Sequence, residues 1–580
     1  MCGINGFTFK DRGLIERMNA ATKHRGPDGV GSFVDDAISI GHNLLAIADT
    51  PSNSNQPVIS DDYVLAYNGE IYNYKKLRTQ LAGQFHTDSD TEVIFAGLAR
   101  HGIDFLSKLD GMFAIAWYDR RKKVLFLARD SAGMKPIYYT ISKGHLIFSS
   151  ELRGLFAHDI SRHLNQDMVS VFFALGYVPG SETLVKDIYK VMPGEIIAYS
   201  FEDKTISRQW LPLDDRGKSD EAVRDAIGRA VNEHTMGLRP FGLYLSGGLD
   251  STIILHELSQ QRPEMIKTYT TRFDLPAGRQ ERSIIFNEDA DRAQQLCHEY
   301  RIEHHELLVR EQDFIDAVEP AIAAMEEPRY NHSVPAYWLL AKEASKDVVV
   351  ILNGSGGDEL FRGYGRYEVS KKISDRLASP LGFAMRLGYR FAKGLKNLDD
   401  PLVRWAYVHA IKKNADGTEL VRYLRSMNYP RVENQLADME NAVAEYDRLF
   451  WLADEEFLRT DKIAMHFGME GRFPLLARDL RTLANTIPSR QKGASKAMLR
   501  EIYRTVLPPY IIQKDKTGWN APVTEWMKSK FGAMVHEVLS DGYYQNMRLH
   551  HPASYTLADL KTFLPLFSFK IWARYFQITV

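Results

Sequence analysis

The 580-residue chain contains only two cysteines, Cys2 and Cys297, which excludes a disulfide framework and a cysteine-built metal site. It has 73 basic and 74 acidic residues, for a formal net charge of -1. Such a balance gives no global attraction to nucleic acid or to an anionic membrane. No apolar run approaches bilayer-spanning length, so no membrane insertion is expected. The opening Met-Cys-Gly-Ile-Asn has neither a basic region nor a signal-like apolar stretch, and the cytoplasm is the expected location. Internal repeats, low-complexity segments and a G-x-x-x-x-G-K-[ST] phosphate loop are also missing. The remaining composition, 44% hydrophobic and 25% charged, is that of an ordinary globular protein. The length exceeds what one core supports, so two or more domains are expected.

The stretch Phe241–Ser251, FGLYLSGGLDS, organises the second half. An apolar run through Leu245 reads as a buried parallel strand, and Thr252–Gln260 reads as a helix. Between them, Ser246, Gly247, Gly248, Asp250 and Ser251 form a turn whose backbone N–H groups and helix end suit a phosphate. Around it strands and helices alternate: helix Glu221–Asn232, strand Lys267–Phe273, helix Asn287–Tyr300, strand His304–Val309, two helices within Glu311–Ser345 and strand Val348–Leu352. This order predicts a parallel sheet covered by helices on both faces. Ligands in such sheets bind beyond the carboxyl ends of the strands. Ser246 lies at one such end, and the loop Asn353–Phe361, with Gly354, Ser355 and Asp358, lies at another.

The first half combines short strands with helices. Leu14–Lys23 reads as a helix, Tyr63–Tyr67 as a strand running into Asn68-Gly69-Glu70, and Val93–His101 as a helix opened by Ser89-Asp90-Thr91-Glu92. Strands Met112–Tyr118 and Val124–Ala128 follow, giving an α+β layered domain. Cys2, once Met1 is removed, carries a thiol and a free amine that can act as its base.

The stretches MCGI, HRGPDG, YNGEIYN, SDTE, LDGMFAIAWYD and RDSAGMKPIYY together resemble a class II glutamine amidotransferase domain. SGGLDS resembles the pyrophosphate-binding loop of ATP pyrophosphatases. Joined in this order, they resemble the glutamine-hydrolysing asparagine synthetase family over nearly the whole chain. The resemblance implies an N-terminal-nucleophile hydrolase domain (residues 1–205, layered αββα) and an α/β ATP-pyrophosphatase-type synthetase domain (residues 206–580). Cys2 would then attack the glutamine side-chain amide, Asn68 and Gly69 would form the oxyanion hole, and Asp90 would receive the glutamine α-amine. Leu245 and the SGGLDS residues, with Gly354, would bind ATP, while Asp250 and Asp358 would hold Mg²⁺. Lys496, in Lys496-Ala497-Met498-Leu499-Arg500, would stabilise charge on the α-phosphate. Asp461-Lys462, Glu470–Pro474 and Lys514–Trp519 also fit the pattern, while Ala477 replaces a frequent Asp. An apolar passage for ammonia is implied as well.

Two positions depart from that pattern. Leu44 stands where the family has the arginine that pairs with the glutamine carboxylate. Ser355 stands where an acidic residue adjoins the acceptor side. The expected activity is glutamine-dependent amidation of an adenylated carboxylate, with glutamine, ATP and the acceptor as partners and a homodimer as the commonest assembly. Three alternatives remain open for this chain: amidation of aspartate, amidation of another carboxylate such as a uronic-acid sugar or a peptide side chain, and an ammonia-only protein with an impaired glutaminase half. Cys297 reads as a core residue, and Ser370–Asp447 as a helical, aromatic region without evident chemistry.

Overall fold

A computed structural model describes residues 2–81, 83–212, 222–275, 280–329, 331–379, 398–410, 417–427, 429, 436, 438–514, 519, 521–540 and 560–579. The first half contributes β1 (Cys2–Phe7), β2 (Gly29–Val34), β3 (Ser39–Leu44), β4 (Val58–Ile59), β5 (Tyr63–Ile71) and β6 (Gly111–Asp119). It continues with β7 (Val124–Arg129), β8 (Tyr138–Ser142), β9 (His145–Ser149), β10 (Tyr189–Lys190), β11 (Glu195–Ser200) and β12 (Ile206–Trp210). They form two six-stranded sheets, ordered β10-β8-β9-β1-β3-β2 and β12-β11-β7-β6-β5-β4. Ile4 and Ile40 from one and Val64, Ala66 and Leu125 from the other close a buried core between them. Helix Arg12–Ala21 packs Leu14, Ile15 and Met18 on the first sheet. Helices Tyr74–Leu81 and Asp90–His101 pack Leu77, Val93 and Ile94 on the second. The expected αββα layering is present. Ile206–Trp210, the first residues assigned above to the second domain, pair with β11 as the edge of this sandwich.

Asn68-Gly69-Glu70, expected to follow a strand ending at Tyr67, is itself strand. β6 offers matched partners from Tyr63↔Asp119 through Ile71↔Gly111, so β5 continues. The residue is Gly69 because a Cβ there would sit 2.0 Å from the Met112 carbonyl oxygen.

The second half builds a parallel sheet from β13 (Phe241–Tyr244), β14 (Lys267–Phe273), β15 (Glu303–Val309), β16 (Val350–Leu352) and β17 (Glu470–Arg472), ordered β15-β14-β13-β16-β17. Helices Val223–Glu233, Leu249–Gln261, Gln280–Tyr300, Glu311–Met325 and Val334–Ala344 alternate with it, as the sequence pattern predicts. Cys297 is buried among apolar residues, as expected. β17 is not legible in the sequence. Its residues Glu-Gly-Arg lack a strand signature, yet both charges are buried and paired. The predicted helical region holds helices Pro401–Ala410, Gly417–Ser426 and Met439–Tyr446; residues 380–397, 411–416, 428, 430–435 and 437 lie outside the described ones. A π-helix, Asp447–Glu456, follows and leads into helix Phe457–His466.

Candidate active sites

β1 places Cys2 opposite Leu44 of β3. The two, with Ala46, form a small buried apolar cluster. The Cys2 main-chain N–H donates to Asn68 Oδ1 at 2.9 Å. That leaves Asn68 Nδ2 fully buried without a hydrogen-bond partner, a donor held ready for an oxygen that develops negative charge. Burial pushes the Cys2 thiol pKa up, against the positive chain terminus and the Leu45 N–H, which favour the thiolate. Arg25, from the HRGPDG turn, donates Nε to the Cys2 carbonyl at 3.2 Å and Nη1 to Glu151 at 2.9 Å.

Asp90 is 4% exposed. It accepts Tyr67 Oη at 2.8 Å and Ile71 N at 3.0 Å, and burial raises its pKa. Glu70, which the sequence reading did not single out, is buried near it and has one carboxylate oxygen, Oε1, without a hydrogen bond. Its side chain lies on β5 two residues after Asn68, so the YNGE motif itself was the available signal. The fold thus gathers a thiol, an amide donor and two buried carboxylates, with Leu44 where a cation was missing from the sequence pattern.

The two halves meet over buried charge pairs. Arg25 Nη2 lies 2.8 Å and Lys135 Nζ 3.5 Å from Asp461. Lys462 pairs with Glu326, whose carboxylate accepts the N–H groups of Leu152 and Arg153 of the first half. Asp461-Lys462 therefore holds the interface. Leu45, Ile47, Met112, Ala132 and Met134 of the first half share an apolar cluster with Leu352, Phe457 and Met465 of the second.

A cavity of about 410 Å³ opens at the carboxyl ends of the parallel strands. The SGGLDS loop, the loop at Gly354-Ser355 and Lys496 all line it. Lys496 Nζ contacts Asp250 and lies 2.7 Å from Asp358 Oδ1. Burial works against its charge, but these two carboxylates hold the Lys496 pKa above its usual value. The approach depends on glycine. A Cβ at Gly363 would sit 1.7 Å from Asp358 Oδ1, and one at Gly357 would sit 2.5 Å from Asp250 Oδ1. The structure thus brings Leu245, Ser246, Gly248, Asp250, Ser251, Gly354, Ser355, Asp358 and Lys496 together on one cavity. Gly247 lies in the same loop at φ +63 and packs on the helix bearing Arg292. Lys514 and Trp519 also line the cavity, while 515–518 lie outside the described residues.

Two oxygen ligands converging on one cation in a glycine-cleared cradle suit Mg²⁺, which uses few protein carboxylates. Ser355 Oγ lies 2.8 Å from Asn353 Oδ1 and 2.7 Å from Glu456 Oε1. Glu456 was not among the sequence candidates, and no local motif marks it.

The glutamine amidotransferase domain model matches residues 1–210, and the asparagine synthase model matches residues 222–567. The chain is 28% identical to the asparagine synthetase (glutamine-hydrolysing) 1 of Bacillus subtilis, over 93% of this chain and 90% of that one. A putative asparagine synthetase 2 of Methanocaldococcus jannaschii is 30% identical over 63% of this chain and 76% of its own. Asparagine synthetase B of Escherichia coli is 31% identical over 63% and 65% respectively.

Proposed function

The chain belongs to the asparagine synthase family and is a glutamine-dependent amidotransferase with ATP-dependent amidation; from that premise we propose the roles of its residues and the class of its acceptor. Cys2, freed by removal of Met1, attacks the glutamine side-chain amide. Asn68 Nδ2 and the Gly69 N–H receive the oxyanion, while Asp90 and Glu70 receive the α-ammonium. Ammonia leaves, and the thioester is hydrolysed. In the second half, the SGGLDS loop and Gly354 bind the ATP phosphates. Asp250 and Asp358 would hold Mg²⁺, which when bound supplies positive charge against the phosphate oxygens. Lys496 steadies the α-phosphate as the acceptor carboxylate attacks it and pyrophosphate departs. Ammonia then converts the adenylated carbonyl to an amide.

The observation that carries this reading is the meeting of Lys496 with both Asp250 and Asp358 inside the cavity that the SGGLDS loop lines. For the acceptor we propose a carboxylate other than free aspartate, a uronic-acid sugar first. Tyr364 and Trp451 on the cavity wall are aromatic side chains of the kind found beside bound sugars, and Ser355 is neutral. Aspartate is the second reading, because Glu456 supplies a carboxylate beside Ser355 for an amine to meet. A cytoplasmic homodimer is the setting proposed for the enzyme. The test is pyrophosphate release with ATP, Mg²⁺ and ammonia across galacturonate, glucuronate and aspartate. Release that no carboxylate stimulates contradicts the reading; efficient asparagine formation reverses the order of acceptors.

A further inference from the structure

We infer that Glu456 is the base that deprotonates the nitrogen nucleophile in the amide-forming step, an inference that rests on the amidation reading above. Glu456 closes the π-helix Asp447–Glu456, a winding that concentrates at functional sites. The first residue of that helix is pinned. Asp447 Oδ2 accepts Arg366 Nε at 2.7 Å and Tyr367 Oη at 2.6 Å, and Oδ1 accepts Trp405 Nε1 at 2.8 Å. His409 Nε2 lies 2.7 Å from the same Oδ1. The last residue is thereby delivered to the cavity wall.

Its two oxygens have different surroundings. Oε2 is paired with Arg459, whose guanidinium lies 5.6 Å from the centre of the Tyr337 ring. Oε1 is 2.7 Å from Ser355 Oγ. The Ser355 hydroxyl has one proton and two facing oxygens, Glu456 Oε1 and Asn353 Oδ1. When it donates to Asn353, Oε1 is free to accept a proton from elsewhere. The adjacent Gly354 packs on Asp250, with the Asp250 Cβ 3.2 Å from where a Gly354 Cβ would lie. The carboxylate therefore stands one loop residue away from the phosphate-binding aspartate.

That position suits one step. Ammonia adds to the carbonyl of the acyl-adenylate, forming the C–N bond and leaving a positive, surplus-protonated nitrogen. Oε1 of Glu456 takes that proton. The carbonyl re-forms as the C–O bond to the phosphate breaks, and its electron pair leaves with AMP. A protonated, neutral Glu456 remains and returns its proton to solvent. A base here prevents the addition from reversing, because the deprotonated nitrogen could leave only as the far poorer amide anion.

Glu456→Gln tests this, since the amide can still accept from Arg459 and occupies the same volume. The full chain is assayed for ATP–pyrophosphate exchange and for amide formation, with galacturonate, glucuronate and aspartate as probes and ammonium as nitrogen source. The ratio of amide formed to pyrophosphate exchanged should fall about a hundredfold or more, the usual contribution of a general base. Adding Ser355→Glu to that variant returns a carboxylate to the loop, and at least a tenfold recovery is expected. A wild-type ratio in Glu456→Gln overturns the inference. So does parallel loss of exchange and amide formation, which would mark Glu456 as an acceptor-binding group. If the unaltered enzyme exchanges no pyrophosphate with any probe, the amidation reading fails first and the inference falls with it.

Discussion

Arg472 reaches from β17 of the parallel sheet to Glu70 on β5 of the first half, with Nη2 3.1 Å from Oε2 and both side chains buried. The same guanidinium holds Glu470 at 2.5 Å and donates Nη1 to the carbonyls of His234 and Met236 at 2.9 and 2.6 Å. Its own carbonyl accepts the N–H of Asn353, the residue before Gly354, at 2.9 Å. One arginine thus ties a residue of each site to the other. Arg472→Met would leave Glu470 buried without its cation, at a cost of about 3–5 kcal/mol. Chemical denaturation should show that loss, with glutaminase activity falling alongside it. A variant of unchanged stability would contradict the arrangement.

One guanidinium cannot keep two buried carboxylates fully ionised. Burial, with Asp90 and Glu470 nearby, raises Glu70 to about 8 in spite of Arg472. Burial also works against Glu470, but Arg472 holds it below its usual value. For Glu70 the sign is that of an acid with a raised folded pKa. Between pH 4.5 and 8 the native state holds a proton that the unfolded chain has lost, so this group's contribution falls as pH rises across that window. The slope approaches about 1.4 kcal/mol per pH unit. Glu70→Gln should flatten the decline in stability measured by denaturation at pH 5, 6, 7 and 8. Parallel curves for the two proteins would show that Glu70 is ionised throughout.

Much of the second site was legible because its candidate residues sit at element ends, whereas Cys2 and Asn68 of the first lie in strands β1 and β5. Ser246–Ser251, Asn353–Asp358 and the SDTE helix start are built of Gly, Ser and Asp at element ends, where local rules assign roles. Three of the sandwich strands, β5, β6 and β7, were legible too. β17 and Glu456 were not. The first is a strand of two charges whose arginine is satisfied by Glu70, His234 and Met236, which are distant in sequence. The second reaches Ser355 across 101 positions from a helix whose π winding no local pattern encodes. Ser355 alone suggested a lost carboxylate, and the fold restores one from another element.

In the proposed mechanism Cys2 serves only the first half-reaction. Cys2→Ala should abolish amide formation from glutamine and leave ammonia-supported turnover near the unaltered rate, measured as pyrophosphate release. Activity with glutamine surviving in that variant would exclude the thiol as nucleophile.

Leu44 faces Cys2 from β3 and is 3% exposed. It offers the glutamine carboxylate no hydrogen bond. A hydrogen bond to a charged group contributes about 1.5–3 kcal/mol, so a glutamine KM roughly ten- to a hundredfold above that of an arginine-bearing relative is expected. Steady-state glutaminase kinetics decide it, and an equal KM would mean that another group binds the carboxylate.

The closeness of Asp358 and Lys496 depends on the missing side chain at Gly363. A Cβ there would lie 1.7 Å from Asp358 Oδ1 and 2.3 Å from Lys496 Cε, so Gly363→Ala must push both groups from the cavity centre. Asp358→Asn removes the charge but keeps the shape. If the two carboxylates hold Mg²⁺ against the ATP phosphates, both variants should lose adenylation by roughly a thousandfold or more. The two differ in cause. Raising Mg²⁺ should recover part of the rate in Asp358→Asn, where affinity is weakened in an intact site, and little in Gly363→Ala, where the site is displaced. Glutaminase activity should persist in both, because Cys2 and Asn68 lie in the other domain. Normal pyrophosphate release from Gly363→Ala would show that the contact between Asp358 and Lys496 is dispensable for catalysis.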